Sequence, residues 1–134
     1  RFPAHWAGDE RSTFGAFRRS LLAGLSAGLS GVVFWGWDLG GFSGDVPTAE
    51  LFIRSTQMAA FCPIMQYHAE SKAELNQDRT PWNIAERSGD DRTISVYRYF
   101  ANLRMSLLPY IEREAKYAIE TGQPLMRPLV LDYD

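Results

Sequence analysis

Three short stretches of this chain bring aromatic rings, carboxylates and glycines within a few residues of one another. They are Trp6-Ala7-Gly8-Asp9, the run Phe34-Trp35-Gly36-Trp37-Asp38-Leu39-Gly40-Gly41-Phe42, and Gln66-Tyr67-His68-Ala69-Glu70. Indole and phenyl faces stack on the C–H faces of a sugar ring, and carboxylates and imidazoles bond its hydroxyls, so this mixture suits carbohydrate. In the first stretch the small Ala-Gly step lets backbone approach a ligand beside the Asp9 carboxylate.

Such residues work only where a scaffold holds them. Ser12 or Thr13 is a plausible cap for a first helix whose Phe14, Phe17, Leu21 and Leu25 share one face. Gly31 then breaks the pattern, and Val32 to Trp37 is an apolar run of strand formers without alternation, as in a parallel strand covered on both faces. Pro47-Thr48 opens a second helix to about Ala60, and Cys62 to Tyr67 is read as a second buried strand. This alternation predicts an α/β fold with a parallel sheet, either doubly wound or an eight-stranded barrel. In both, the reacting groups cluster at the carboxyl ends of strands, where the three stretches fall.

From Ala69 to Asp91 the chain turns polar and reads as a long surface loop. Val96, Phe100, Leu103 and Leu107 then recur at helical spacing, Pro109 is expected to begin or kink a further segment, and Ile111, Ala115 and Ile119 continue a stripe to Gly122. Pro124 to Tyr133 is read as the start of a strand in a following domain.

Composition narrows the function classes. The chain has 134 residues, 46% of them hydrophobic, which is globular material for one domain-sized unit. Its 14 basic and 16 acidic residues are scattered, so no basic block follows a phosphate backbone and nucleic acid is not expected as a partner. The uncharged stretch Leu21 to Trp37 is too interrupted by glycine and serine, and too short, for a membrane span of about 20 apolar residues. The single cysteine, Cys62, forms no internal disulfide and favours a reducing, cytoplasmic setting. Arg1 to Trp6 has none of the features of a signal peptide, and the chain is expected to be the middle of a gene.

Here a resemblance becomes specific. Trp6-Ala7-Gly8-Asp9 resembles the acid/base motif of glycoside hydrolase family 31, the α-glucosidase and α-xylosidase family. Asp38-Leu39-Gly40-Gly41-Phe42 is similar to its aspartate, aliphatic, glycine, glycine, phenylalanine signature. His68 lies where the family has a substrate-binding histidine, and Met126-Arg127-Pro128-Leu129 resembles the passage leaving its barrel. The resemblance implies that residues 1–122 are the last part of a (β/α)8 TIM barrel, from the loop after the sixth strand onward, and that residues 123–134 begin a β-sandwich domain.

It implies a retaining hydrolysis of terminal α-linked glucose from oligosaccharides, without metal or organic cofactor, in which Asp9 is first general acid and then general base. The nucleophile would lie upstream of Arg1, so the 134 residues alone are expected to be inactive. Trp6, Asp38, Phe42 and His68 would line the sugar site; Trp37 departs from the smaller or polar residue common in the family before this aspartate, and its indole is read as binding substrate at the entrance and favouring particular linkages, such as α-1,6 over α-1,4. Asp38 is read either as a hydroxyl ligand or as support behind one. His5 and Cys62 are read as structural.

Rival readings have their own signals. Asp9 could merely cap the helix that follows, Trp6 and Phe42 could be core packing, and His68 could be an interior histidine bonded to Glu70. An α-xylosidase would share every motif. A carbohydrate-binding module would use the same aromatics without chemistry, yet such modules are usually β-rich. A dinucleotide or phosphate site in Gly36 to Gly44 lacks the required glycine spacing.

Overall fold

The computed structural model describes residues 4–68 and 77–133. Its centre is a parallel sheet. β1 (His5–Trp6) pairs with β2 (Trp35–Gly36) in the register His5 to Trp35 and Trp6 to Gly36. Two residues on, Asp38 forms a parallel bridge with Gln66, and Leu39 N–H donates to the Gln66 carbonyl at 3.0 Å. Three extended segments therefore lie side by side in chain order. The strands expected over Val32 to Trp37 and Cys62 to Tyr67 shorten to β2 and to the single bridge at Gln66.

Pleating divides the residues after Phe34 between two faces. Trp35, Trp37 and Leu39 turn toward the helices and form the core with Phe52, Ala59, Cys62 and Ile84. Gly36 and Asp38 alternate with them on the other face.

α1 (Phe14–Gly28) starts at Thr13, whose side chain accepts from Ala16 N–H. Its buried stripe is Ala16, Ser20, Gly24 and Gly28, not the large residues that the apolar spacing predicts. Phe17 and Leu21 pack at its margin, while Phe14 is 48% exposed. The reason is the Trp35 indole, which lies so close that a Cβ built on Gly24 would sit 2.2 Å from its ring. The large neighbour belongs to the strand, so the helix supplies the small residues.

α2 (Ala49–Ala59) follows Thr48, whose hydroxyl accepts from Leu51 N–H at 3.3 Å. Its C-terminal carbonyls meet a cation from far along the chain. The Arg104 guanidinium donates to the carbonyls of Ala59 and Ala60, each at 3.2 Å, of Cys62 at 2.7 Å and of Pro63 at 2.9 Å. Ala59 and Ala60 close the helix, where positive charge is favoured by the dipole, and Cys62 and Pro63 belong to the turn beyond it. One side chain thereby ties α2 to the long helix that carries it.

Three expectations for the second half are corrected. Ala69 to Asp91 is not one long loop: α3 (Pro81–Ser88) lies within it. Thr80 caps it, Pro81 occupies the first turn and Gly89 ends it at φ 66°, a proline-first, glycine-last pattern that outweighs the polar composition. Beyond it, Pro109 neither starts nor ends a helix, because α4 (Arg92–Thr121) runs through it for 30 residues. Pro109 is exposed, so water can satisfy the carbonyl that its ring deprives of a donor. Gly122, at φ 77°, closes α4 by donating to Ala118. After it, Leu129–Leu131 is a 3-10 turn, not the expected strand. Among the described residues no helix is long and apolar enough to cross a membrane.

Two measurements test this packing. Gly24→Ala, which raises intrinsic helix propensity, should nevertheless lower stability by about 1–3 kcal/mol through overpacking against Trp35, read as a fall in melting temperature. Burial pushes the Cys62 thiol from its usual 9.0 up to about 12, with nearby Arg104 opposing the shift. Below pH 9.0 the thiol is protonated in folded and unfolded chains alike; above it only the unfolded chain ionises, so stability is lost progressively toward about 12. The urea midpoint of wild type should therefore fall more steeply above pH 9.0 than that of Cys62→Ala.

Candidate functional site

The loops after β1 and β2 are stitched together. The Glu10 carbonyl accepts from Phe42 N–H at 2.8 Å and from Ser43 N–H at 3.0 Å, and Ser12 N–H returns to the Ser43 carbonyl at 3.2 Å. The Ser43 hydroxyl donates to the Asp9 carbonyl at 2.8 Å. This closeness explains both glycines of the second motif. A Cβ on Gly41, at φ 99°, would lie 2.8 Å from the Ser12 backbone; one on Gly40, at φ 76°, would lie 2.6 Å from Pro47. Gly40 N–H is further anchored on the Ser55 hydroxyl at 2.9 Å, which itself donates to Phe52 O at 3.0 Å.

At the centre is Asp38, 6% exposed. One carboxylate oxygen accepts from Trp6 Nε1 at 2.9 Å and the other from Gln66 Nε2 at 3.0 Å. Buried anions need such donors, and here two neutral ones supply them. The bond fixes an indole that is itself 52% exposed, and Trp6 meets Phe42 edge-on with centroids 6.0 Å apart and planes at 74°. Phe42 in turn lies 4.5 Å from the His68 ring.

The structure thus brings Trp6, Asp38, Phe42 and His68 into one contiguous group drawn from three parallel segments. Asp9 stands on the stitched loop beside it, held by its backbone, with an exposed carboxylate that accepts no hydrogen bond among the described residues. His68 Nδ1 is buried and has no partner among the described residues, while the His68 carbonyl accepts from Arg79 N–H at 3.1 Å. The bond once expected from His68 to Glu70 lies outside the described residues.

Trp37 is corrected. Its ring is 4% exposed and packed between Trp35, at 5.5 Å, and Phe17, at 5.6 Å, so it forms core under α1 and not the entrance to a sugar site. Neighbouring strand residues point to opposite faces; because Asp38 faces the Trp6 cluster, the residue before it cannot.

Two contributors escaped sequence reasoning. Gln66 stood in the third stretch, but an amide carries no signal of its own until its partner is known. Arg79, 1% exposed, donates to the carbonyls of Gly44 at 3.0 Å and Gln77 at 2.9 Å, bracing the loop after β2. It sits in a polar stretch that gives no hint of burial.

Comparison with known proteins places this geometry. A family model described as the glycosyl hydrolases family 31 TIM-barrel domain matches residues 1–113. The chain is 55% identical to a 1,3-alpha-isomaltosidase of Kribbella flavida, over 96% of the chain and 18% of that protein. It is 52% identical to an isomaltosyltransferase of Sporosarcina globispora, over 96% of the chain and 12% of that protein. An alpha-xylosidase of Emericella nidulans is 37% identical over 99% of the chain and 16% of its own length.

Among solved structures, a cycloalternan-degrading enzyme from Trueperella pyogenes in complex with isomaltose matches with a TM-score of 0.90 and 48% identity, covering 96% of this chain and 18% of that one. The chain therefore spans between 12% and 18% of the length of these relatives.

The two tryptophans should respond differently to truncation. Trp37→Ala is expected to cost about 3–5 kcal/mol in urea unfolding, as a fully buried ring does. Trp6→Phe should cost no more than about 1.5 kcal/mol, because one hydrogen bond is lost from a half-exposed side chain. Equal costs would contradict the core placement of Trp37.

Proposed function

Since the chain belongs to glycosyl hydrolase family 31, we propose that it carries the acid/base side of a retaining α-glycosidase site, with β1, β2 and the segment at Gln66 as the sixth, seventh and eighth strands of a (β/α)8 barrel. The parallel order of the three segments and the helices covering one face support this reading. So does the location of the polar groups on the loops that follow the strands, where such barrels hold their sites. Residues 123–134 then lead toward a β-sandwich domain.

The observation that carries the proposal is the fixed position of Asp9. Its backbone is bonded to Ser43 beside the group made by Trp6, Asp38, Phe42 and His68, while its carboxylate stays free. Protonated, Asp9 gives its proton to the departing glycosidic oxygen. As a carboxylate it then takes a proton from the acceptor that attacks the glycosyl-enzyme. Trp6 and Phe42 present ring faces to the sugar, and His68 and Asp38 present polar atoms. The nucleophile comes from another part of the barrel, so these 134 residues alone do not turn over substrate.

The substrate class is α-linked glucosyl oligosaccharide. Within it, similarity to an isomaltosidase, an isomaltosyltransferase and an isomaltose complex favours release of an α-1,6-linked glucose pair over a single terminal glucose. Hydrolysis and transfer share the glycosyl-enzyme and differ only in whether water or a sugar hydroxyl accepts.

The test uses the polypeptide that carries this chain, with 4-nitrophenyl α-isomaltoside and α-glucoside. On substrates with unactivated leaving groups, Asp9→Asn should lose roughly 10²–10⁴-fold, the usual contribution of a general acid/base. On the nitrophenyl substrates it should form the intermediate and then stall until azide releases the α-glycosyl azide. Equal activity of wild type and variant would refute the role of Asp9, and faster turnover of the glucoside would refute the disaccharide preference.

A further inference from the structure

Gln66 is the one side chain in the cluster for which the proposed reaction has no use. Its amide presents no ring, yet among the described residues it is one of two donors to the Asp38 carboxylate, which is 6% exposed. The bond joins the third parallel segment to the second, and the Trp6–Asp38 bond joins the second to the first. Orientation therefore passes in sequence from Gln66 to Asp38 to the Trp6 indole, whose one further ring contact among the described residues is with Phe42.

Without the Gln66 donor, Asp38 can rotate to satisfy its orphan oxygen with water, and Trp6 Nε1 loses a fixed acceptor. The backbone would not move, because Leu39 N–H still binds the Gln66 carbonyl at 3.0 Å. This separates side-chain positioning from strand pairing.

We propose that Gln66 is a positioning residue that, through Asp38, holds the Trp6 indole in the orientation that receives the sugar. The proposal rests on the reading of Trp6 and Asp9 given above. The neutrality of Gln66 matters as well. It bonds Asp38 without placing a cation beside it. The titratable groups around this position are Asp38 on the second segment, His68 two residues along its own, and Asp9 and Glu10 on the loop after β1.

Two variants of nearly unchanged size test the idea in the polypeptide that carries this chain. Gln66→Met removes the donor and should reduce kcat/KM about tenfold, in line with loss of a hydrogen bond to a charged group at a partly exposed site. Gln66→Glu places a second carboxyl against Asp38, and two carboxylates so close share one proton at low pH. While that proton is held the donor is restored, so the ratio of variant to wild-type activity should approach one in mildly acidic buffer and fall about tenfold toward neutrality.

Reversal of the loss by acidifying the same preparation would distinguish it from misfolding. If Gln66→Glu and Gln66→Met both track wild type across pH while azide still rescues Asp9→Asn, the positioning role is overturned and the acid/base reading stands. If azide rescue also fails, the underlying reading falls with it.

Discussion

A carboxylate withdrawn from water must be surrounded by donors, and Asp38 meets that requirement by drawing them from both neighbouring segments of the sheet. Trp6 and Gln66 lie 32 and 28 residues away along the chain, so satisfying one anion fixes the lateral order of three parallel segments at their functional ends. The same bonds orient the half-exposed Trp6 ring. Removing either partner obliges Asp38 to take a replacement donor from water, and the link between the two segments is lost.

The rest of the molecule supports that arrangement from behind. Trp35, Trp37 and Leu39 turn into the helix layer, where α1 gives way to the Trp35 indole through Gly24. Arg104 reaches from α4 into the carbonyls that end α2, so the helices are joined to one another as well as to the strands. Five consecutive residues from Trp35 to Leu39 thus divide their labour by parity: odd positions build the core and even positions face the cluster.

That parity also marks what could be read in the sequence. The order of helices and parallel segments was legible because caps such as Thr13 and Thr48 and the β-branched run at Val32-Val33 are local signals. So were the three polar stretches, which converge as their positions after strands require. Trp37 misled because a tryptophan beside an aspartate looks like a sugar platform, and only the pleat reveals that the two face apart. α3 was hidden by polar composition, although Thr80-Pro81 and Gly89 bound it, and the large residues of α1 outnumbered the small ones that in fact pack. Arg79 and Gln66 were invisible because their value lies in partners far along the chain.

The contact between Gly41 and Ser12 sets a limit on how this site can diverge. With no room for even a methyl group between the loops after β1 and β2, neither can gain or lose a residue without displacing the other. Change at this place must therefore come by exchanging side chains on two loops of matched length, or by remodelling loops elsewhere. Insertions between Gly8 and Ser12 or between Gly40 and Ser43 should be rare among functional descendants, while the ends of the helices remain open to growth.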